Sequence, residues 1–191
     1  MKKHKIIIGI TGASGAIYAK KLLENLQLLS NQIDRVGVVF SKYAEEVWNF
    51  ELGPLNKKDI PFQIYKPDDF YAPFASGSAG FQTMIICPCS MGTLGRIASG
   101  VSTDLISRAA DVMLKEHQKL ILVSRESPIS LIHIKNMETI ALAGGIIFPA
   151  SPSFYNKPNS LEDAADQLAK RLLQMAGFGL DLFQWGPDAI D

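Results

Sequence analysis

Five short runs of the chain are apolar at nearly every position: residues 6–10, 36–40, 84–87, 120–123 and 146–148. Each is too short for a helix and rich in Ile, Val, Leu or Phe, so the pattern predicts strands buried on both faces, as in a parallel sheet. Between these runs the apolar positions recur at helical spacing. Residues 16–29 set Ile17, Leu22, Leu26 and Leu29 on one side and Lys20, Lys21 and Glu24 near the other. The same stripe runs through 102–116 (Leu105, Ala109, Val112), 130–143 (Ile134, Met137, Ala141) and 160–175 (Leu161, Ala165, Leu168, Leu172, Met175). Ser160 and Asp163, behind Pro158, form a helix start signal. Strands alternating with helices predict an α/β fold: a three-layer open parallel sheet, Rossmann-like or flavodoxin-like, wound by right-handed crossovers.

Two stretches resist this pattern. Residues 53–80 are rich in Pro and aromatics, and the tail 177–191 is Gly-rich yet holds Phe178, Leu182, Phe183 and Trp185; both read as lids or contact surfaces. With no internal repeat and no low-complexity linker, a single domain over 1–191 is the expected organisation.

Composition narrows the function. Of 191 residues 47% are hydrophobic, enough for a large core, which excludes a disordered chain. Nineteen Lys and Arg balance nineteen Asp and Glu, and the one basic run is Lys2, Lys3, His4 and Lys5, so the electrostatic footprint of a nucleic-acid binder is missing. The longest apolar stretch, 140–150, is broken by Gly144, Gly145 and Pro149 and falls short of the ~20 residues of a membrane span. Residues 6–10 run into a glycine turn without a signal-peptide cleavage pattern, so a soluble cytoplasmic protein is expected. Cys87 and Cys89 lack CxxC spacing and read as reduced thiols at a buried strand end; His4, His117 and His133 are scattered, and no metal site is indicated.

In a doubly wound sheet, ligands bind beyond the carboxyl ends of the strands. There the sequence places Gly9, Ile10, Thr11, Gly12, Ala13, Ser14 and Gly15, which suit either a phosphate cradle or a tight turn that needs glycine. Thr11 interrupts the GxGxxG spacing, and Ser41 and Lys42 follow the second strand where an NAD site wants a carboxylate. A mononucleotide such as FMN fits better. The third strand ends in Pro88, Cys89, Ser90, Met91, Gly92 and Thr93, with Ser90 a helix N-cap, and the fourth ends in Ser124, Arg125, Glu126, Ser127 and Pro128. Asp104, Arg108, Asp111 and Lys115 share one side of their helix, taken alone a solvated face with ion pairs. Tyr155 and Arg171 are unremarkable singly.

Together these segments resemble the UbiX flavin prenyltransferase family, within the homo-oligomeric flavin-containing Cys decarboxylase folds. The similarity is carried by GITGASGAIYA (9–19), FYAPFASGSAGF (70–81), MIICPCSMGTLGRIASG (84–100), DLISRAADVMLKE (104–116), LVSRESPISLIHIKNM (122–137) and PASPSFYNKP (149–158), and spans nearly the whole chain. It implies an enzyme that joins the dimethylallyl group of dimethylallyl phosphate to N5 and C6 of reduced FMN, without metal. Prenylated FMN is then the product, handed to a partner UbiD-type decarboxylase, in ubiquinone biosynthesis. FMN contacts are implied at Gly12, Ala13, Ser14, Ser41, Ser90, Met91, Gly92, Thr93 and Arg125. The prenyl donor site is implied at Ser76, Arg108, Lys115, Glu126, Tyr155 and Arg171, with Glu51 near the flavin and the aromatics Phe70 and Trp185 beside the prenyl group. Lys115, Glu126, Glu51 and Tyr155 are the implied catalytic set.

That chemistry fits the residue types. Arg and Lys stabilise the charge that gathers on a departing phosphate, Tyr155 donates to it, and aromatic faces favour an allylic cation by ~0.5 to 2 kcal/mol each. Glu126, or the released phosphate, is the candidate base for the proton lost on ring closure. The resemblance also implies a homo-oligomer, a dodecamer, with sites completed by neighbouring chains and the apolar tail covered. His117 and Gln118 depart from the basic run of many relatives. The alternative on this fold is an FMN-dependent decarboxylase, whose early helix carries a His; helix 16–29 here has none. A non-catalytic flavin-binding subunit would tolerate loss of Lys115, Glu126 or Arg171, and all three are present.

Overall fold

The structure is a computed structural model describing residues 3–180 and 182. Its strands are β1 (His4–Ile10), β2 (Ile33–Phe40), β3 (Gln63–Tyr65), β4 (Thr83–Cys89), β5 (Lys119–Ser124) and β6 (Ile146–Pro149). All pair in parallel, in the order β3-β2-β1-β4-β5-β6. This is the doubly wound order, in which the direction of winding reverses between β1 and β4 and opens a crevice there. The helices are α1 (Ala16–Leu28), α2 (Ala44–Leu52), α3 (Met91–Ala98), α4 (Leu105–Lys115), α5 (Leu131–Leu142) and α6 (Leu161–Ala176).

Alternation along the strands feeds two cores. Ile6, Ile8 and Ile10, with Val36, Val38, Ile85 and Ile121, pack against Leu22 and Leu26 of α1 and Leu168 and Leu172 of α6. Ile7, Val39, Met84, Ile86 and Leu122 face the other way, onto Leu94 of α3, Ile106 and Met113 of α4 and Ile140 of α5. Both faces are covered, which is why the central runs are apolar at every position.

Helix starts are set by side-chain caps. The helix predicted over 102–116 begins at Leu105, because Asp104 stays extended: its Oδ1 accepts from Ser107 N at 2.8 Å, and Ser107 Oγ accepts from Asp104 N at 3.1 Å. Ser130 and His133 box the start of α5 in the same way, and Ser160 accepts from Asp163 N at 3.0 Å to open α6.

Residues 53–80 are more than a lid. They supply the edge strand β3 and three 3-10 turns, Lys57–Asp59, Pro73–Ala75 and Gly77–Ala79. Phe74 is buried at 1% exposure, edge-on to Tyr65 and Phe81 with ring centroids 4.9 and 5.4 Å away. It lies so close to β2 that a Cβ on Gly37 would come within 2.5 Å of its ring. Phe70 and Tyr71, in contrast, stay exposed. In the tail, Phe178 folds back into the core beside His4, ring centroids 4.5 Å apart; Trp185 lies outside the described residues.

Candidate functional site

The crevice between β1 and β4 is stitched by one hydroxyl. Thr11 Oγ1 donates to the Pro88 carbonyl at 2.7 Å and accepts from Ser90 N at 2.9 Å, while Thr11 N donates to the same carbonyl at 3.3 Å. At about 1 kcal/mol net per bond, the turns after β1 and β4 become one rim. Ser41 N donates to the Ile10 carbonyl at 2.8 Å, which brings up the end of β2, and Arg125 N reaches the Cys89 carbonyl at 3.5 Å from the end of β5. Ser90 caps α3 by accepting from Thr93 N at 3.3 Å. Gly12, Ala13, Ser14, Ser41, Ser90, Met91, Gly92, Thr93 and Arg125 therefore stand along one edge of the sheet. Met91 and Thr93 are buried, whereas Ser14, Gly92 and Arg125 are exposed.

Glu51, on α2, reaches across to the start of α1. Its carboxylate accepts from Gly15 N at 2.9 Å and from Ala16 N at 2.8 Å. Gly15 adopts φ 111°, which only glycine takes without strain, and this turns both amides toward the carboxylate. Partial burial pulls the Glu51 pKa up, but the hydrogen bonds from Ser14, Ala16 and Gly15 and the charge of Arg125 outweigh it and hold the carboxyl below its ordinary value. The first-turn amides of the glycine loop are thus engaged by a carboxylate of this chain. Burial raises the Tyr18 pKa, with Cys87 adding to the rise and Arg125 opposing it, so the Arg125 charge is felt on α1 as well. Both thiols are fully buried; burial drives Cys87 up and pushes Cys89 to about 12, so each is a neutral packing group.

The residues implied for the prenyl donor fall into two groups. Arg108 donates from Nε to the Ala75 carbonyl at 3.0 Å and from Nη1 to Asp111 at 2.8 Å, and so fixes the turn before Ser76. Lys115, farther along α4, pairs with Glu116 at 2.7 Å. Ser76 and Glu116 line a cavity of about 310 Å³ with Phe74 and Phe81. Tyr155 and Arg171 instead line a wider cleft of about 780 Å³ with Phe148, Asp163, Asp166 and Lys170. Arg171 also donates to Gln174. Glu126 is exposed beyond β5, its carboxylate accepting from Ser127 N at 3.1 Å, and Phe70 is half-exposed.

Sequence reasoning missed two contributors. Thr11 is expected from the sequence only as part of the glycine-rich cradle and as a break in its fingerprint, yet it joins the two turns; its signal is a hydroxyl one residue beyond a buried strand. Arg96 went unremarked, although its Nη2 donates to Thr93 Oγ1 and to Asp104 Oδ2, each at 3.2 Å; the three-residue helical spacing from Thr93 was the available clue.

Four hydroxyls and an exposed Arg along this rim suit the phosphate and polyhydroxyl chain of a mononucleotide. Among the described residues no group of three or more His, Cys, Asp or Glu converges to hold a metal, and no helix is long and apolar enough to cross a membrane. Strand order and rim together define a doubly wound, nucleotide-binding α/β protein.

Known proteins sharpen that class. Residues 1–171 match the Flavoprotein family. The chain is 43% identical over 187 residues to flavin prenyltransferase UbiX of Methanocaldococcus jannaschii, covering 95% of this chain and 98% of that one. It superimposes on AnUbiX (PadA1), solved in complex with FMN and dimethylallyl pyrophosphate, with a TM-score of 0.87 and 38% identity, covering 97% of this chain and 100% of the other. A dodecameric FMN-dependent UbiX-like decarboxylase from Escherichia coli O157:H7 gives a TM-score of 0.87 at 37% identity over 95% and 99% of the two chains. The chain belongs to the flavoprotein family, among the UbiX flavin prenyltransferases.

Proposed function

We propose that the chain is a transferase that joins the dimethylallyl group of dimethylallyl phosphate to reduced FMN and releases prenylated FMN, working as a cytoplasmic homo-oligomer. The observation that carries this reading is the rim of glycines, hydroxyls and Arg125 at the switch point of a chain 38% identical to one solved with FMN and a dimethylallyl donor. FMN, when bound, supplies the ring atoms that take up the prenyl group.

The chain's own residues supply the rest. Gly12, Ala13, Ser14, Ser41, Ser90, Met91, Gly92, Thr93 and Arg125 hold the nucleotide. Arg108, Lys115 and Arg171 neutralise the departing phosphate, with Tyr155 and Ser76 donating to it. Phe70 and Trp185 shield the allylic fragment from water, Glu51 stands beside the flavin as a carboxylate, and Glu126 takes the proton released on ring closure. Because Ser76 and the Tyr155/Arg171 pair line different cavities, the clamp is best completed by chains meeting in the oligomer. The exposed apolar side chains of α5 supply surface for such a meeting: Leu131, Ile132, Ile134 and Leu142. The product would serve a UbiD-type decarboxylase, in ubiquinone biosynthesis.

Mass spectrometry of the flavin after anaerobic incubation with reduced FMN and dimethylallyl phosphate tests the reading. A flavin heavier by one prenyl unit is expected, and Lys115→Ala and Arg171→Ala should bind FMN while losing transfer by about 10²-fold or more. Unchanged FMN on protein that binds it would overturn the transferase reading in favour of decarboxylation on the same fold.

A further inference from the structure

Thr93 is buried at 3% exposure, and its hydroxyl is unusually constrained. Thr93 Oγ1 accepts from Ser90 Oγ at 3.1 Å and from Arg96 Nη2 at 3.2 Å. A hydroxyl oxygen has two lone pairs and one proton. With both lone pairs taken, the Thr93 proton is left to donate, and among the described residues no hydrogen bond uses it.

Arg96 is what imposes this state from below. Its Nη2 spends one proton on Thr93 Oγ1 and the other on Asp104 Oδ2, both at 3.2 Å. The Asp104 carboxylate is itself fixed, since its other oxygen accepts from Ser107 N at 2.8 Å and from Ser107 Oγ at 2.9 Å in the cap of α4. A Cβ on Gly92 would lie 3.9 Å from Arg96 Nη1, so the guanidinium sits directly under residues 92 and 93. Its Nε is buried with no acceptor, so the group owes its position to the Nη contacts. One charged side chain thereby locks the turn after β4 to the start of the helix that carries Arg108 and Lys115.

We infer that Arg96 is a positioning residue for the flavin: by filling a lone pair of Thr93 Oγ1, it commits the Thr93 hydroxyl to donating to an acceptor atom of bound FMN. The inference rests on the flavin reading of residues 90–93 given above. Arg96 acts through Thr93 and touches no substrate itself.

A double-mutant cycle on FMN affinity, read by flavin fluorescence with the full chain, tests it. Thr93→Val removes the donor and Arg96→Met removes the group that directs it. Each is expected to weaken FMN binding about tenfold, and the double variant no further than the worse single one. Thr93→Ser, which keeps the hydroxyl, should retain most of the affinity lost in Thr93→Val, which separates the donor's role from general damage to the site. Wild-type affinity in Arg96→Met beside a loss in Thr93→Val would overturn the inference and leave the flavin site in place. Additive losses in the double variant would overturn it as well. Wild-type affinity in Thr93→Val would instead overturn the assignment of the flavin to this turn. Should Arg96→Met fail to fold by circular dichroism, Arg96→Lys replaces it in the cycle. Its single ammonium keeps the charge without the fork, and a smaller loss, again non-additive with Thr93→Val, is expected.

Discussion

Glu51 shows how one side chain joins fold and site. A carboxylate on the first-turn amides of α1 satisfies donors that every helix leaves unpaired and complements the positive end of the helix dipole, together worth about 1 kcal/mol. Its pKa is lowered in the folded chain, so the carboxylate binds its proton more weakly there than in the unfolded chain. The resulting stability is present above the ordinary Glu range and fades as pH falls through that range and then through the lowered folded value. Glu51→Gln should therefore cost about 1 kcal/mol in urea unfolding of the flavin-free protein at pH 7, with the gap to wild type closing below about pH 4. An equal gap at both pH values would mean that the carboxylate charge does not hold this junction. Nothing in the sequence announces the contact, because Gly15 and Glu51 stand 36 positions apart with helix α1 and strand β2 between them.

Among the elements, β2 and the turn at 73–75 depend on each other. Gly37 leaves space on the sheet for the Phe74 ring, and the aromatic trio Tyr65, Phe74 and Phe81 closes that face of the core beside α4. Gly37→Ala would set a methyl 2.5 Å from the ring, and moving a fully buried Phe costs about 1–3 kcal/mol. The loss should appear as a lower urea midpoint, and adding Phe74→Leu, which withdraws the ring edge, should recover part of it. This corner of the fold was also the least legible. The central strands announce themselves because both faces are buried, and the helices with capping residues Ser130 and Ser160 begin where those residues stand. Strand β3 has three residues, one neighbour and a partly exposed pattern, so its alternation is too brief to register. The turns that form the rim were legible by position alone, since small and hydroxyl residues follow buried strands. The bonds that organise those turns, Thr11 to Ser90 and Arg96 to Thr93 and Asp104, join side chains of different elements and needed the fold to be seen.

At the scale of the whole molecule, the cations expected around the donor phosphate are carried by helices on opposite faces of the sheet, Arg108 and Lys115 by α4 and Arg171 by α6. Arg108 is committed to the turn before Ser76, and Arg171 stands in the cleft that Tyr155 lines. A clamp built by one chain would leave this separation unexplained, whereas a closed assembly with repeated interfaces brings the two surfaces of neighbouring copies together. Complementation distinguishes the two cases. Arg108→Ala and Arg171→Ala should each be inactive in transfer, yet an assembly formed from an equal mixture, unfolded and refolded together, contains sites that draw both wild-type residues from different chains. For a site shared between two copies, random mixing returns about a quarter of the sites intact, so transfer should recover to roughly that fraction of wild type. A site confined to one chain gains nothing from mixing, because every copy still carries one of the two lesions. With an affinity tag on one variant only, recovery of the untagged variant with the captured assemblies confirms that mixed assemblies formed. Activity that stayed at the level of the separate variants in such assemblies would place the entire clamp within a single chain.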